Sequence, residues 1–216
     1  MSENELLYTL ALQRAAKIGD ITAKKLIAYC GSAEAVFKEN KQSLLNVVGV
    51  GNIMMRDLFK REHLKSAEKE IYFINSENIK FHYFLDQNYP ERLKHCIDSP
   101  ILLFQSGNIN FKQQHIISIV GARKVTTNGI AFCEKLIEEI SVFNPIIVSG
   151  FAYGADITAH KAAMKNNLQT IGCLAHGLNQ IYPKAHKRYM VDVENNGGFI
   201  TDFWSSAAFD RNNFLK

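Results

Sequence analysis

After His115 the chain alternates strictly between short apolar runs and helix-patterned stretches, and this alternation constrains the fold more than any other feature. "HIISIVG" reads as a strand and "TTNGIAFCEKLIEEIS" as a helix with Phe132, Leu136, Ile137 and Ile140 on one face. "NPIIVSG" is a second strand and "DITAHKAAMKNN" a second helix. "QTIGCLA" is a third strand, "HGLNQIYP" a long loop, "KAHKRYMVDVENN" a helix and "GGFITDF" a final strand. Apolar strands separated by helices require crossover connections, and these build a parallel sheet. Upstream, "IKFHYFL" and "PILLFQSG" also read as strands, with "YPERLKHC" as a short helix between them.

The first 70 residues follow a different rule. Leu6, Leu7, Leu10 and Ala11 form a helical stripe. "GDITAKKLIAYCGS" is a helix with Asp20 or Thr22 as N-cap, an apolar face of Ile21, Leu26 and Ile27, and Gly31 as its stop. Gly49-Val50-Gly51 separates two further helical pieces in the manner of a helix-hairpin-helix. Such a turn either exposes backbone N–H groups to a phosphate or simply joins packed helices. The expected architecture is therefore α/β. A small all-helical domain over residues 1–70 precedes a Rossmann-like, mainly parallel, three-layer domain over residues 71–216.

Several function classes are disfavoured. Cys30, Cys96, Cys133 and Cys173 stand alone, which argues against a disulfide scaffold or a zinc site. "MSENELLYTL" lacks the charge pattern of a signal peptide, and no apolar run is long enough for a membrane span. A cytoplasmic location with no membrane partner is expected. The first strand runs into G-A-R-K-V-T, without the remaining glycines of a dinucleotide fingerprint, and no P-loop occurs. No metal and no cofactor are expected.

Ligands of open α/β sheets bind beyond the carboxyl ends of the strands. The first strand delivers Gly121, Ala122, Arg123 and Lys124 there. The second delivers Ser149, Gly150, Tyr153, Gly154, Asp156 and His160. The third delivers His176, Gly177, Asn179, Tyr182, Pro183, Lys184 and His186, and the fourth Asp202, Trp204, Phe209 and Phe214. Lys161 and Lys187 add charge, in keeping with a net charge of +4 that falls mainly in the second half. Glycines and helix N-termini suit an anion, Arg123 a bidentate phosphate contact, and Tyr153, Tyr182 and Trp204 stacked bases. The plain alternatives stay open: ordinary turns at the glycines, an N-cap at Asp156, and a backbone-bonded His160 rather than a catalytic base.

In order and spacing, "SIVGARKVTTNG", "IIVSGFAYGADITAHKAA", "TIGCLAHGLNQIYPKAH" and "GGFITDF" resemble the DprA/Smf family of DNA-processing proteins. "LDQNYPERLKHCIDSPILLFQSGNI" resembles the approach segment of that family, and the N-terminal helices its sterile-alpha-motif or helix-hairpin-helix-like domain. The resemblance implies a binder of single-stranded DNA that protects incoming DNA, helps load the RecA recombinase in natural transformation, forms homodimers and has no catalytic residues. It implies that Arg123 grips backbone phosphate, that Gly121, Gly150 and Gly154 form phosphate-facing turns, and that Lys184 and His186 border the pocket. His186 stands where the family frequently has Asn. The family pattern continues past "NFLK", so the chain is expected to be part of something longer. The competing readings are a nucleotide phosphoribohydrolase-type enzyme, whose P-G-G-x-G-T-x-x-E signature is absent, and an interaction module without a nucleic-acid ligand.

Overall fold

The computed structural model describes residues 1–112 and 115–215, with backbone only at Phe214 and Leu215. The chain divides into two compact units, Met1–Leu103 and Phe104–Lys216. The expected division at residue 70 falls inside a continuous helix, Arg61–Ser76.

The first unit is mainly helical. Helix α1 (Glu3–Arg14) starts at Ser2, whose hydroxyl accepts the Glu5 N–H at 3.2 Å, and it buries Leu6, Leu10, Ala11 and Leu12. Helix α2 (Asp20–Cys30) stops at Gly31, where φ is +93° and a side chain is strained. Gly19, not Asp20 or Thr22, holds the N-cap position of α2. The Asp20 carboxylate instead accepts the N–H of Ile101 at 2.8 Å. The buried face of α2 is Ala23, Leu26 and Ile27, while Ile21 turns to solvent.

Helices α3 (Ala33–Lys38), α4 (Lys41–Leu44), α5 (Asn52–Leu58) and α6 (Arg61–Ser76) complete the helical set. Glu5 buttresses α3: its carboxylate accepts the N–H groups of Ala33 at 2.7 Å and Glu34 at 3.1 Å, and the Tyr83 hydroxyl at 3.1 Å. Leu12, Leu26, Ile27, Val36, Leu44, Met55, Leu58 and Ile101 share one core. Strand β1 (Lys80–Tyr83), helix α7 (Glu91–Lys94) and the first residues of β2 (Leu102–Gly107) follow.

The second unit carries the expected alternation: β3 (Ile116–Ser118), α8 (Thr127–Ile140), β4 (Ile146–Ser149), α9 (Ala155–Lys165), β5 (Thr170–Cys173), α10 (Met190–Asn195) and β6 (Gly197–Thr201). The stretch read as one helix from Lys184 is a 3-10 segment, Lys184–Tyr189, running into α10. The sheet order is β1-β2-β6-β5-β4-β3. β3, β4, β5 and β6 pair in parallel, and β2 pairs antiparallel with β6, Phe104 opposite Thr201. The fold is thus mixed α/β with a mostly parallel sheet.

Successive parallel strands step across the sheet in one direction, and right-handed crossovers then lay their helices on one face. The packing agrees. Cys133 and Ile137 of α8, Ala159, Ala162 and Ala163 of α9 and Ile147 of β4 form one cluster. Phe151, Leu174, Val193 of α10 and Phe199 of β6 form a second. The small residues of α9 let α8 approach closely, and that contact selects Cys133 and Ile137 as its inner stripe. Phe132, expected on the inner face, is 69% exposed. Among the described residues no helix is long and apolar enough to cross a membrane.

Candidate functional site

The turns beyond β3 and β4 are built as one piece. Ala155 donates its N–H to the Ala122 carbonyl at 3.1 Å. Gly154 has φ of +79°, and a Cβ there would overlap the backbone of Ala122 and come within 2.6 Å of the Arg123 carbonyl. A Cβ on Gly121 would come within 2.6 Å of the Ala155 methyl, and one on Gly150 within 2.5 Å of the Asp156 carboxylate. These glycines face protein rather than an open phosphate cradle. Their small size lets two loops meet backbone to backbone, and Arg123 and Lys124 are carried at the exposed edge of that junction, beside Ala122.

Polar side chains fix the β4–α9 turn further. Ser149 donates its hydroxyl proton to the Ile119 carbonyl at 2.7 Å, joining the ends of β3 and β4. Asp156 lies in the first turn of α9, and Gly154 holds the N-cap position without a side-chain cap bond. The Asp156 carboxylate reaches back to accept the Ala152 N–H at 3.1 Å, so it closes the turn instead of capping the helix. His160 is fully buried, with Nε2 2.6 Å from the Gly150 carbonyl and Nδ1 2.7 Å from the Thr170 hydroxyl. A carbonyl only accepts, so Nε2 carries the proton. Burial pushes the His160 pKa below the ordinary imidazole value, which keeps the ring neutral at pH 7.

His186, expected to border a DNA pocket, is buried as well. Its Nδ1 lies 2.9 Å from the Phe151 carbonyl, and its ring packs edge-on against Phe151, Tyr153 and Tyr189. Two buried imidazoles therefore hold the consecutive carbonyls of Gly150 and Phe151. His186 supports the turn from beneath.

The loop after β5 is turned inward. Gly177 donates to the Ala207 carbonyl at 2.9 Å, and a Cβ on Gly177 would run into the backbone of Trp204 and Ser205. Tyr182 is stacked on Phe209, centroids 3.5 Å apart and planes 15° from parallel. That face of Tyr182 is already occupied by protein. His176 is buried, with Nδ1 3.0 Å from the Gly177 carbonyl. The expected Phe214 contact concerns a side chain outside the described residues.

What remains at the surface is an aromatic and cationic set. Tyr153 is 47% exposed. Lys161, Lys184, Lys187 and Arg188 are exposed on α9 and the 3-10 segment. The Arg188 guanidinium lies 4.7 Å from the Tyr189 ring centroid and the Lys161 ammonium 6.0 Å from it. Arg188 and Tyr189 join the site only through the structure. Their adjacency in "KRYM" was the available signal. Among the described residues no group of three or more His, Cys, Asp or Glu side chains is arranged to hold a metal ion.

Residues 80–216 match the model of the family described as DNA recombination-mediator protein A. The DNA processing protein DprA of Streptococcus pneumoniae is 35% identical over 132 residues, 60% of this chain and 46% of the relative. The Smf protein of Borreliella burgdorferi is 30% identical over 148 residues, 68% of this chain and 47% of the relative. The chain spans about half the length of the curated relatives it matches. The crystal structure of Streptococcus pneumoniae DNA processing protein A superposes with a TM-score of 0.75 at 27% identity, over 99% of this chain and 72% of that one. DNA processing protein A of Helicobacter pylori, described for its single-stranded DNA binding mode, shares the fold at a TM-score of 0.56 and 23% identity, over 63% of this chain and 61% of its own.

Proposed function

Because the chain belongs to the DNA recombination-mediator protein A family, we propose that it binds single-stranded DNA at the edge formed by the β3–α8 and β4–α9 turns. One observation carries the reading: Arg123 and Lys124 stand exposed on a loop that Gly154 and Ala155 lock in place. Two cations on a fixed backbone hold phosphates at a lower ordering cost than the same side chains on a mobile loop. Tyr153, with Lys161 and Arg188 set about Tyr189, offers a stacking surface and further charge, the combination that suits a strand of any sequence.

The role is binding rather than catalysis. Both ring nitrogens of His160 are engaged inside the protein, so this ring is not available to take a proton from a ligand. In the cell this chain is part of a cytoplasmic homodimer that shields incoming single strands and delivers them to the RecA recombinase.

Fluorescence anisotropy with an oligo(dT) strand and a duplex of equal length tests the reading. The single strand binds more tightly than the duplex. Arg123→Glu with Lys124→Glu weakens it at least about tenfold, the scale of one lost charge-assisted contact. Unchanged affinity in that variant rejects the site. Faster RecA filament growth on single strands in the presence of the protein tests delivery, and no acceleration rejects it.

A further inference from the structure

The first unit presents a surface that DNA binding at the β3–α8 turn leaves unused. Ile21, Lys25 and Tyr29 recur every four residues along α2, which sets them in one row on the helix surface. Ile21 is 39% exposed and Tyr29 52% exposed. The Lys25 ammonium lies 3.4 Å from the Val48 carbonyl, which brings the turn between α4 and α5 beside that row. Val48 is 80% exposed at this turn, and Ile53 beyond it is 54% exposed. Val47 and Val50 anchor the turn to the core of the unit, while a Cβ on Gly49 or Gly51 would meet nothing within 4 Å. Ile21, Tyr29 and Val48 are thus large apolar side chains exposed on two elements that Lys25 joins.

The charge of this surface selects its partner. Apart from Asp20, the ionised side chains of α2 and of residues 46–56 are Lys24, Lys25 and Arg56; the next residue, Asp57, is held by the Ala16 N–H and Lys60, and Asp98 lies near Lys24. Asp20 is occupied by the Ile101 N–H and Lys24 by the Ser99 hydroxyl at 2.7 Å. Lys25 and Arg56 are exposed. We propose that the outer face of α2 and the adjoining Val48 turn form a docking surface for an acidic, apolar segment of a partner protein. Its Leu- or Phe-type side chains cover Ile21, Tyr29 and Val48, and its carboxylates meet Lys25 and Arg56. A nucleic-acid backbone has no use for the exposed Ile21, Val48 and Ile53, which favours the protein partner. The proposal does not rest on the DNA-binding reading.

Amide chemical-shift mapping on the full chain tests it with three probes. These are a short synthetic peptide of Asp, Glu, Leu and Phe, the same peptide with Lys in place of every acid, and oligo(dT). The acidic peptide shifts the amides of Ile21, Lys25, Tyr29 and Val48. Lys25→Glu and, separately, Val48→Glu each weaken it at least about tenfold while circular dichroism stays unchanged. Both side chains are exposed, so neither variant removes core packing. No shift with the acidic peptide, equal shifts with the Lys peptide, or shifts at these amides with oligo(dT) overturns the proposal. The DNA-binding reading stands or falls separately, on Arg123 and Lys124.

Discussion

His160 shows how one side chain sets the pH response of the β4–α9 turn. Its Nε2 donates to the Gly150 carbonyl, and its Nδ1 lies 2.7 Å from the Thr170 hydroxyl, which also reaches the Ile147 carbonyl at 3.0 Å. Burial lowers its pKa from 6.5, against the opposing influence of the Gly150 carbonyl and of Asp156. The neighbouring His186 lowers it further. The unfolded chain therefore binds more protons than the folded one just below the free-histidine pKa. The contribution of His160 to stability is present above about pH 6.5 and is lost as the pH falls below it toward the lowered folded value. Thermal melts across this range record the decline, and His160→Gln flattens it. An identical pH slope in that variant removes His160 as the cause.

At the scale of elements, the junction of the β3–α8 and β4–α9 turns is the structural unit of the site. Gly154 is its tightest point, because neither its φ of +79° nor its contact with the Ala122 and Arg123 backbone admits a side chain. Gly154→Ala costs about 1–3 kcal/mol through strain alone. It also displaces the loop that carries Arg123 and Lys124. The expected outcome is a lower melting temperature together with weaker oligo(dT) binding. The charge-reversed Arg123→Glu, Lys124→Glu protein instead loses affinity with its melting temperature intact. Differential scanning fluorimetry beside anisotropy separates the two, and an unchanged melting temperature for Gly154→Ala refutes the locked junction. Thr126 adds to the element scale by accepting the Gly129 N–H at 3.1 Å, which starts α8 directly after the cationic loop.

At the scale of the molecule, a net charge of +4 is modest, so the proposed DNA binding depends on where cations are placed more than on their number. If Arg123, Lys124 and one lysine of the following elements each hold a phosphate, log affinity falls with log salt at a slope of about −2 for a single strand. Raising salt from about 50 to about 200 mM then weakens binding roughly tenfold to twentyfold. A flat salt response in the anisotropy titration contradicts a phosphate-based grip.

The parallel strands, the order of the helices and the cationic turns were legible in the sequence, because periodicity and glycine placement act over a few neighbouring residues. Apolar runs such as "NPIIVSG" and the turn "GARK" specify themselves locally. Other features depend on which strands become neighbours. Gly121 and Gly154 serve each other's loops because β3 lies next to β4. His186 is buried beneath Phe151, and Tyr182 is covered by Phe209. Phe132 faces solvent because Cys133 and Ile137 meet the small residues of α9. Local pattern fixed the class of fold and the turns that carry Arg123 and Lys124. Strand adjacency, a long-range property, determined which of the marked residues face outward there and which hold the edge in place.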